Sequence, residues 1–213
     1  TTDKVTFLDP AGSYDNGSFM VMNQIFPLLV NTMPGTDQTV PSPDIAVSAE
    51  YTAPTEYTVV LKEGLTFANG NELTASDVVF TFERQVNIAD PNGPSSLLGN
   101  LDSVEAVDDT TVVFHLKSEN DQTFSQILSG PPGPIVDEEV FPADAVLGNA
   151  ELVAAEPFAG PYTITSFTPN ELIVFEPFDG YQGMLGAPAN ESVTMRYYAD
   201  ASNMRLDVEN GNI

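Results

Sequence analysis

The chain has no cysteine and no tryptophan, a single histidine, and only six lysines and arginines in 213 residues. Without cysteine there are no disulfides, no thiolate metal sites and no cysteine nucleophile. That suits an extracytoplasmic protein, and many cytosolic ones too. Against the few cations stand 31 acids, giving a formal net charge of −25. Nucleic acid is excluded as a partner, because phosphate binding needs a basic patch. An anionic membrane surface would also repel this chain. The charge reads as a solubilising surface. No apolar run is long enough to span a bilayer, and no basic-then-apolar leader opens at Thr1, so a mature or trimmed product is expected. What is present is globular: 42% apolar residues, in a length that allows one large domain or two small ones.

The most informative stretch runs from Tyr57 to Arg84, YTVVLKEGLTFANGNELTASDVVFTFER. It opens as a strand, with Tyr57, Val59 and Leu61 on one face and Thr58, Val60 and Lys62 on the other. Gly64 breaks the strand, and Asn69-Gly70 can supply positive φ in a tight reversal. Thr74 then reads as a helix N-cap, with Asp77 as its reciprocal partner three residues on. Val78, Val79, Phe80 and Phe82 form a helical apolar face, and Arg84 falls near the favoured C-terminal end.

Elsewhere, Val5–Leu8 reads as a short strand ending at Asp9-Pro10, and Ala11–Ser18 as a polar loop. Phe19–Leu29 reads as an amphipathic helix, with Met22, Ile25, Phe26 and Leu29 at helical spacing and Pro27 kinking or ending it. Residues 35–43 are a turn-rich connector, and residues 92–94 a loop. Leu101–Val107 leads into a turn at Asp108-Asp109-Thr110, and Thr111–Lys117 alternates as a strand with Val112, Phe114 and Leu116 on one face. Phe124–Leu128 is a short helix and Gly130–Pro134 a rigid loop. Tyr162–Phe167 and Leu172–Glu176 form a hairpin about Pro169-Asn170. Val193–Tyr198 is a strand, and Ser202 caps a last helix, Asn203–Glu209, ended by Gly211.

Taken in order, these segments resemble the solute-binding proteins of peptide ABC importers. The long block to Arg84 matches that family's strand, Asn-Gly turn, Thr-Ala-x-Asp cap and Val-Val-Phe core. FLDPAGSYDNGSFMVMNQIFPLLV is similar to the family's opening. Pro41-Ser42-Pro43-Asp44-Ile45-Ala46, the block Asp108–Leu116, Gly160-Pro161-Tyr162 with its hairpin, and the closing Asp200–Ile213 also resemble family blocks. The resemblance covers essentially the whole chain but less than half of a family member. It implies an α/β, mixed-sheet, periplasmic-binding-protein-like lobe with an inserted α+β subdomain, the second lobe lying outside the chain. Residues 1–44 and 156–213 are expected to bear the sheet of this lobe, and 45–155 the inserted subdomain. Two departures stand out: there is no tryptophan for an aromatic cleft wall, the family's Asn-x-x-Tyr-Trp block being Phe178-Asp179-Gly180-Tyr181-Gln182 here, and the resemblance implies that the residue pairing a peptide's amino group belongs to the second lobe.

No residue set looks catalytic: GxSxG, HExxH, GxGxxG and P-loop patterns are all missing. His115 reads as a solvent-facing strand residue rather than a ligand. Asp108-Asp109 and Asp137-Glu138-Glu139 lack calcium-loop spacing and read as solvated turn and helix-start acids. The glycan-type triplets at Asn16 and Asn190 read as chance matches.

The candidate binding loop is Tyr14-Asp15-Asn16-Gly17-Ser18. A binder of varied peptides relies on backbone hydrogen bonds to an extended ligand, and small polar residues offer free N–H and C=O groups for them. The same loop reads equally as a surface turn. The resemblance adds Ser96, Leu97, Ser129, Gly130 and Pro131 as further cleft residues, while Tyr162 and Tyr181 read as packing. It implies an extracytoplasmic, non-enzymatic, lipoprotein-type binder with no cofactor and no metal. Such a binder delivers a peptide or similar small solute to a membrane ABC permease by closing its cleft. A sensory or scaffolding module of the same fold is the alternative, and an enzyme the third reading. Solute identity stays open, because relatives bind peptides, nickel chelates, haem or oligosaccharides.

Overall fold

A computed structural model of the chain describes residues 1–37 and 39–213; Gln38, in the expected 35–43 connector, lies outside the described residues. The elements in chain order are α1 (Asn16–Ile25), β1 (Val30–Asn31), β2 (Ser42–Pro43), β3 (Ala46–Ala53), β4 (Glu56–Leu61), α2 (Ala75–Ile88), β5 (Leu101–Ala106), β6 (Thr111–Leu116), α3 (Phe124–Leu128), α4 (Asn149–Ala155), β7 (Tyr162–Thr168), β8 (Leu172–Pro177), β9 (Val193–Arg196) and α5 (Ala201–Glu209). Short 3-10 turns occupy Pro10–Gly12 and Ser95–Leu98. The strands form a four-stranded sheet in the order β3-β4-β6-β5, a three-stranded sheet β7-β8-β9, and the pair β1-β2. Helices and strands mix as expected for this fold class, and every pairing among the described strands is antiparallel.

Two apolar cores result. The first lies under the four-stranded sheet. Tyr57, Val59 and Leu61 of β4 and Val112, Phe114 and Leu116 of β6 point inward, as their alternation predicts. They meet Val78 and Phe82 of α2 and Phe124 of α3. Phe114 packs edge-on against both Phe82 and Phe124. The second core gathers Val21, Met22 and Ile25 of α1, Leu152 of α4, and Ile164, Ile173 and Phe175 of the three-stranded sheet. A polar clasp joins the two. Buried Asp44 accepts hydrogen bonds from the Tyr181 hydroxyl and the Met184 N–H, and Lys62 Nζ donates to the carbonyls of Asp44 and Gln182.

α2 begins as its sequence dictates. Thr74 caps it, and Asp77 accepts the Thr74 N–H in a full capping box. Of the expected Asn69-Gly70 pair, only Gly70 takes a positive φ, at 96°.

Several boundaries differ from expectation, each for a local reason. Val5–Leu8 is not a strand, because side chains take its backbone groups. Thr6 N–H donates to Ser18 Oγ and Leu8 N–H to Asn149 Oδ1, while Asn149 Nδ2 donates to the Thr6 carbonyl. Helix α1 starts at Asn16, not Phe19, because Asp15 caps it by accepting the Ser18 N–H. It ends at Ile25, because Phe26 precedes a proline and is driven to an extended conformation. α5 is capped by Asp200, which accepts from Ser202 and Asn203, rather than by Ser202. α4 had no clear signal in the sequence: no side chain caps it, and one buried leucine carries its packing.

Candidate functional site

Two loops face each other beside α2. One is the run from Thr6 to Asp15; the other, Pro91–Gly93, follows the C-terminus of α2. Between them lies a solvent-open groove of about 560 Å³, lined by Thr6, Phe7, Gly12, Tyr14, Asp15, Pro91, Asn92 and Gly93. Phe7 and Tyr14 keep 41% and 55% of their surface exposed. Exposed rings that gather beside a groove, rather than scatter singly, are a feature of recognition surfaces.

Of the residues expected from sequence, Tyr14 and Asp15 line this groove. The others are placed differently. Asn16, Gly17 and Ser18 form the first turn of α1. Gly17 is buried against the Lys4 carbonyl, and Ser18 is fully buried. The Ser18 and Phe19 amides are already taken, by the Asp15 side chain and carbonyl. The Ser18 amide, expected to be free, is therefore used in capping the helix. Ser96 and Leu97 sit on the 3-10 turn beyond Gly93. Ser129, Gly130 and Pro131 lie on the turn after α3, where the Ser129 and Gly130 amides donate to Ser125 and Ile127.

Asp15 is the only carboxylate in the lining. Burial pushes its carboxyl up, but hydrogen bonds from Ser13, Thr6 and Ser18 outweigh that and hold it below the usual carboxylate range. It therefore stays ionised, and its oxygens are largely spoken for by helix capping and neighbouring hydroxyls.

Beneath the groove lies a buried ion pair that sequence reading missed. Arg84 Nη1 and Nη2 bind the two oxygens of Asp9 at 2.8 and 2.6 Å, with both side chains essentially inaccessible. The signal was present: Asp9 belongs to the Leu-Asp-Pro run and Arg84 closes the long motif. Their pairing needs a contact across 75 positions, which no periodicity reports.

The acids at 137–139 also differ from expectation. Asp137 is fully buried, not solvated, and accepts the side-chain amides of Asn69 and Asn71. Oxygens of Asp77, Asp137 and Glu139 lie within 4.8 Å of one another. Those of Asp77 and Asp137 already accept N–H groups, including those of Thr74, Glu138 and Glu139, so the cluster fastens a turn to the start of α2. Burial, reinforced by the neighbouring charges of Glu138 and Asp137, raises Asp77 to about 6 despite the N–H bonds from Thr74 and Glu138. His115 is half-exposed between Glu56 and Glu105, on the solvent face of its sheet.

Residues 40–213 match the family described as bacterial extracellular solute-binding proteins, family 5 middle. The chain belongs to this family. The chain is similar to the probable D,D-dipeptide-binding periplasmic protein DdpA of Escherichia coli K12, 25% identical over 97% of the chain and 40% of that protein. Among solved structures, the oligopeptide-binding protein AppA of Bacillus subtilis, in complex with a nonapeptide, superposes with a TM-score of 0.83 at 25% identity, over the whole chain and 42% of AppA. The ABC transporter substrate-binding protein CtaP of Listeria monocytogenes gives 0.79 at 27%, again over the whole chain and 42% of CtaP. The chain thus spans about two fifths of the length of these proteins. Family 5 members are binding proteins rather than enzymes.

Proposed function

We propose that this chain forms the first lobe of an extracytoplasmic peptide-binding protein that serves an ABC importer, and that it catalyses no reaction. The observation that carries this reading is the groove between the Thr6–Asp15 and Pro91–Gly93 loops, with its two exposed aromatic rings and single ionised carboxylate. Such a lining suits an extended, mostly uncharged main chain with varied side chains better than an anionic solute. Its relatives DdpA and AppA are named for peptides, which supports the same class. Tyr14 and Asp15 are the strongest candidates for solute contact; Asn16, Gly17, Ser18, Ser96, Leu97, Ser129, Gly130 and Pro131 stand behind them. Docking on a membrane permease follows from the importer reading.

The proposed division places residues 1–44 and 156–213 in one subdomain and 45–155 in the other. It is supported by the four-stranded sheet lying wholly within the second span and the three-stranded sheet within the first. Some side chains cross the line: Leu29 and Val30 pack in the first core, and Val136 and Phe141 in the second.

Native mass spectrometry of the protein as its source organism makes it, purified without denaturation, tests the function. Co-purifying peptides are the expected result. A non-peptide solute, or transport that persists when the gene is deleted, would overturn the reading.

A further inference from the structure

The groove's two walls are irregular loops, yet both trace back to one buried contact. Asp9 is fully buried, and its carboxylate accepts four N–H groups: Ala11 N, Leu147 N and both terminal nitrogens of Arg84. The bond to Ala11 fixes the 3-10 turn Pro10–Gly12, from which the first wall continues to Tyr14 and Asp15. Arg84 also donates from Nε to the Pro142 carbonyl and from Nη2 to the Ala145 carbonyl, with its guanidinium 5.2 Å from the Phe141 ring centroid. Arg84 lies in the last turns of α2, whose C-cap Ala89 takes a φ of 46° and leads directly into the second wall. There Gly93 lies so close to the first wall that a Cβ would collide with the Ala11 carbonyl oxygen. One wall hangs from Asp9, and the other from the helix that carries Arg84.

We propose that Asp9 and Arg84 are a positioning pair for the groove, fixing the spacing of its two walls without touching solute and thereby setting solute affinity. The affinity half of this inference rests on the proposed function; the spacing half does not. A forked guanidinium suits the task because its planar donors hold direction as well as distance, whereas an ammonium holds only charge.

The test uses the protein as its source organism makes it, with a set of synthetic di- to nonapeptides as probe. Spin labels on Tyr14→Cys and Asn92→Cys read the groove's width in the absence of peptide; residues 1–213 hold no cysteine, and any cysteine elsewhere in the protein is first replaced by serine. Arg84→Met removes charge and fork; Arg84→Lys keeps only the charge. Val112→Ala, at a fully buried position of the first core, controls for lost stability alone. The expected result is a shifted or broadened label distance in both Arg84 variants, larger for methionine. Affinity for the tightest-binding peptide, measured below each melting temperature, should be roughly tenfold weaker in Arg84→Met and partly rescued in Arg84→Lys. Val112→Ala should match the parent in both readings. Should Arg84→Met not fold, Arg84→Lys and Asp9→Asn carry the same readings. Folded variants with unchanged distance and affinity would overturn the inference. A parent protein that binds no peptide of the set, beside variants with altered distances, would overturn the proposed function and support the positioning role.

Discussion

At the scale of single residues, position in the fold decides what each group does. Gly70 takes a φ of 96° with open space around its missing Cβ, so its value is conformational rather than steric. Gly70→Val is expected to cost about 1–3 kcal/mol, read as a lower urea midpoint, and to leave peptide affinity unchanged where the protein is folded. Asp77 makes the opposite point, about charge. Its carboxyl is raised to about 6 by burial among other acids. A carboxyl raised in the folded state binds its proton more tightly there than in the unfolded chain. Ionising it therefore opposes folding above about pH 6, and that penalty is relieved as pH falls through 6 toward the ordinary carboxylate range. Stability is expected to rise between pH 7 and pH 5, and Asp77→Asn should flatten the rise. Below the ordinary carboxylate range the trend reverses, because Asp15, Asp108 and Asp121 are held low by their hydrogen bonds and lose that stabilisation when protonated. Urea titrations across this range check both limbs.

At the scale of elements, local signals were strong wherever a segment satisfies itself. β4, β6 and the β7–β8 hairpin alternate inward and outward as their sequences do. α2 carries both halves of its own cap. The failures are segments completed from elsewhere. Val5–Leu8 has the composition of a strand, but its partner is the Asn149 side chain, 141 positions from Leu8. Asn149→Ala should leave the Leu8 amide without that acceptor, at a cost of about 1–3 kcal/mol for a buried donor. Hydrogen exchange should then speed up across residues 6–8 while α2 stays protected. Unchanged exchange at Leu8 would show that another group takes over. Part of the candidate loop is helical for a related reason: a run of small polar residues reads equally as loop or helix start, and the Ser18 N–H donated to the Asp15 carboxylate decides for helix at residues 16–18.

At the scale of the whole molecule, charge and enclosure dominate. A net charge of −25 on 213 residues makes the folded surface repel itself. Sodium chloride raised from about 0.01 to 0.5 M is expected to raise the melting temperature, because screening shortens the range of that repulsion. A fall would point instead to stabilising surface ion pairs, and the described residues hold few, at His115 and at Arg205–Glu209. The groove is open on one side, and two-lobed binding would share contact and desolvation between lobes. If the whole protein binds a peptide at about 8 kcal/mol, residues 1–213 alone should retain about half of that, or roughly millimolar affinity. Calorimetry of both against one peptide decides it, and micromolar binding by these residues alone would mean that this lobe carries the complete site.

The sequence by itself determined the strands that alternate, the helix that caps itself, the reversals at Gly64 and Gly70, the acidic and cysteine-free character, and the family. Each is a property of neighbouring residues or of composition, and so is written within a short window. Only the tertiary structure decided that Asp9 meets Arg84, that Asp137 is buried beside Asp77, that Asn149 holds the opening segment, and that the loop at Pro91–Gly93 completes the groove. Those contacts join positions dozens of residues apart, between polar groups that would read as surface anywhere else. A buried charge becomes tolerable only when its partner is brought to it, and bringing it there is the work of the packed cores on either side.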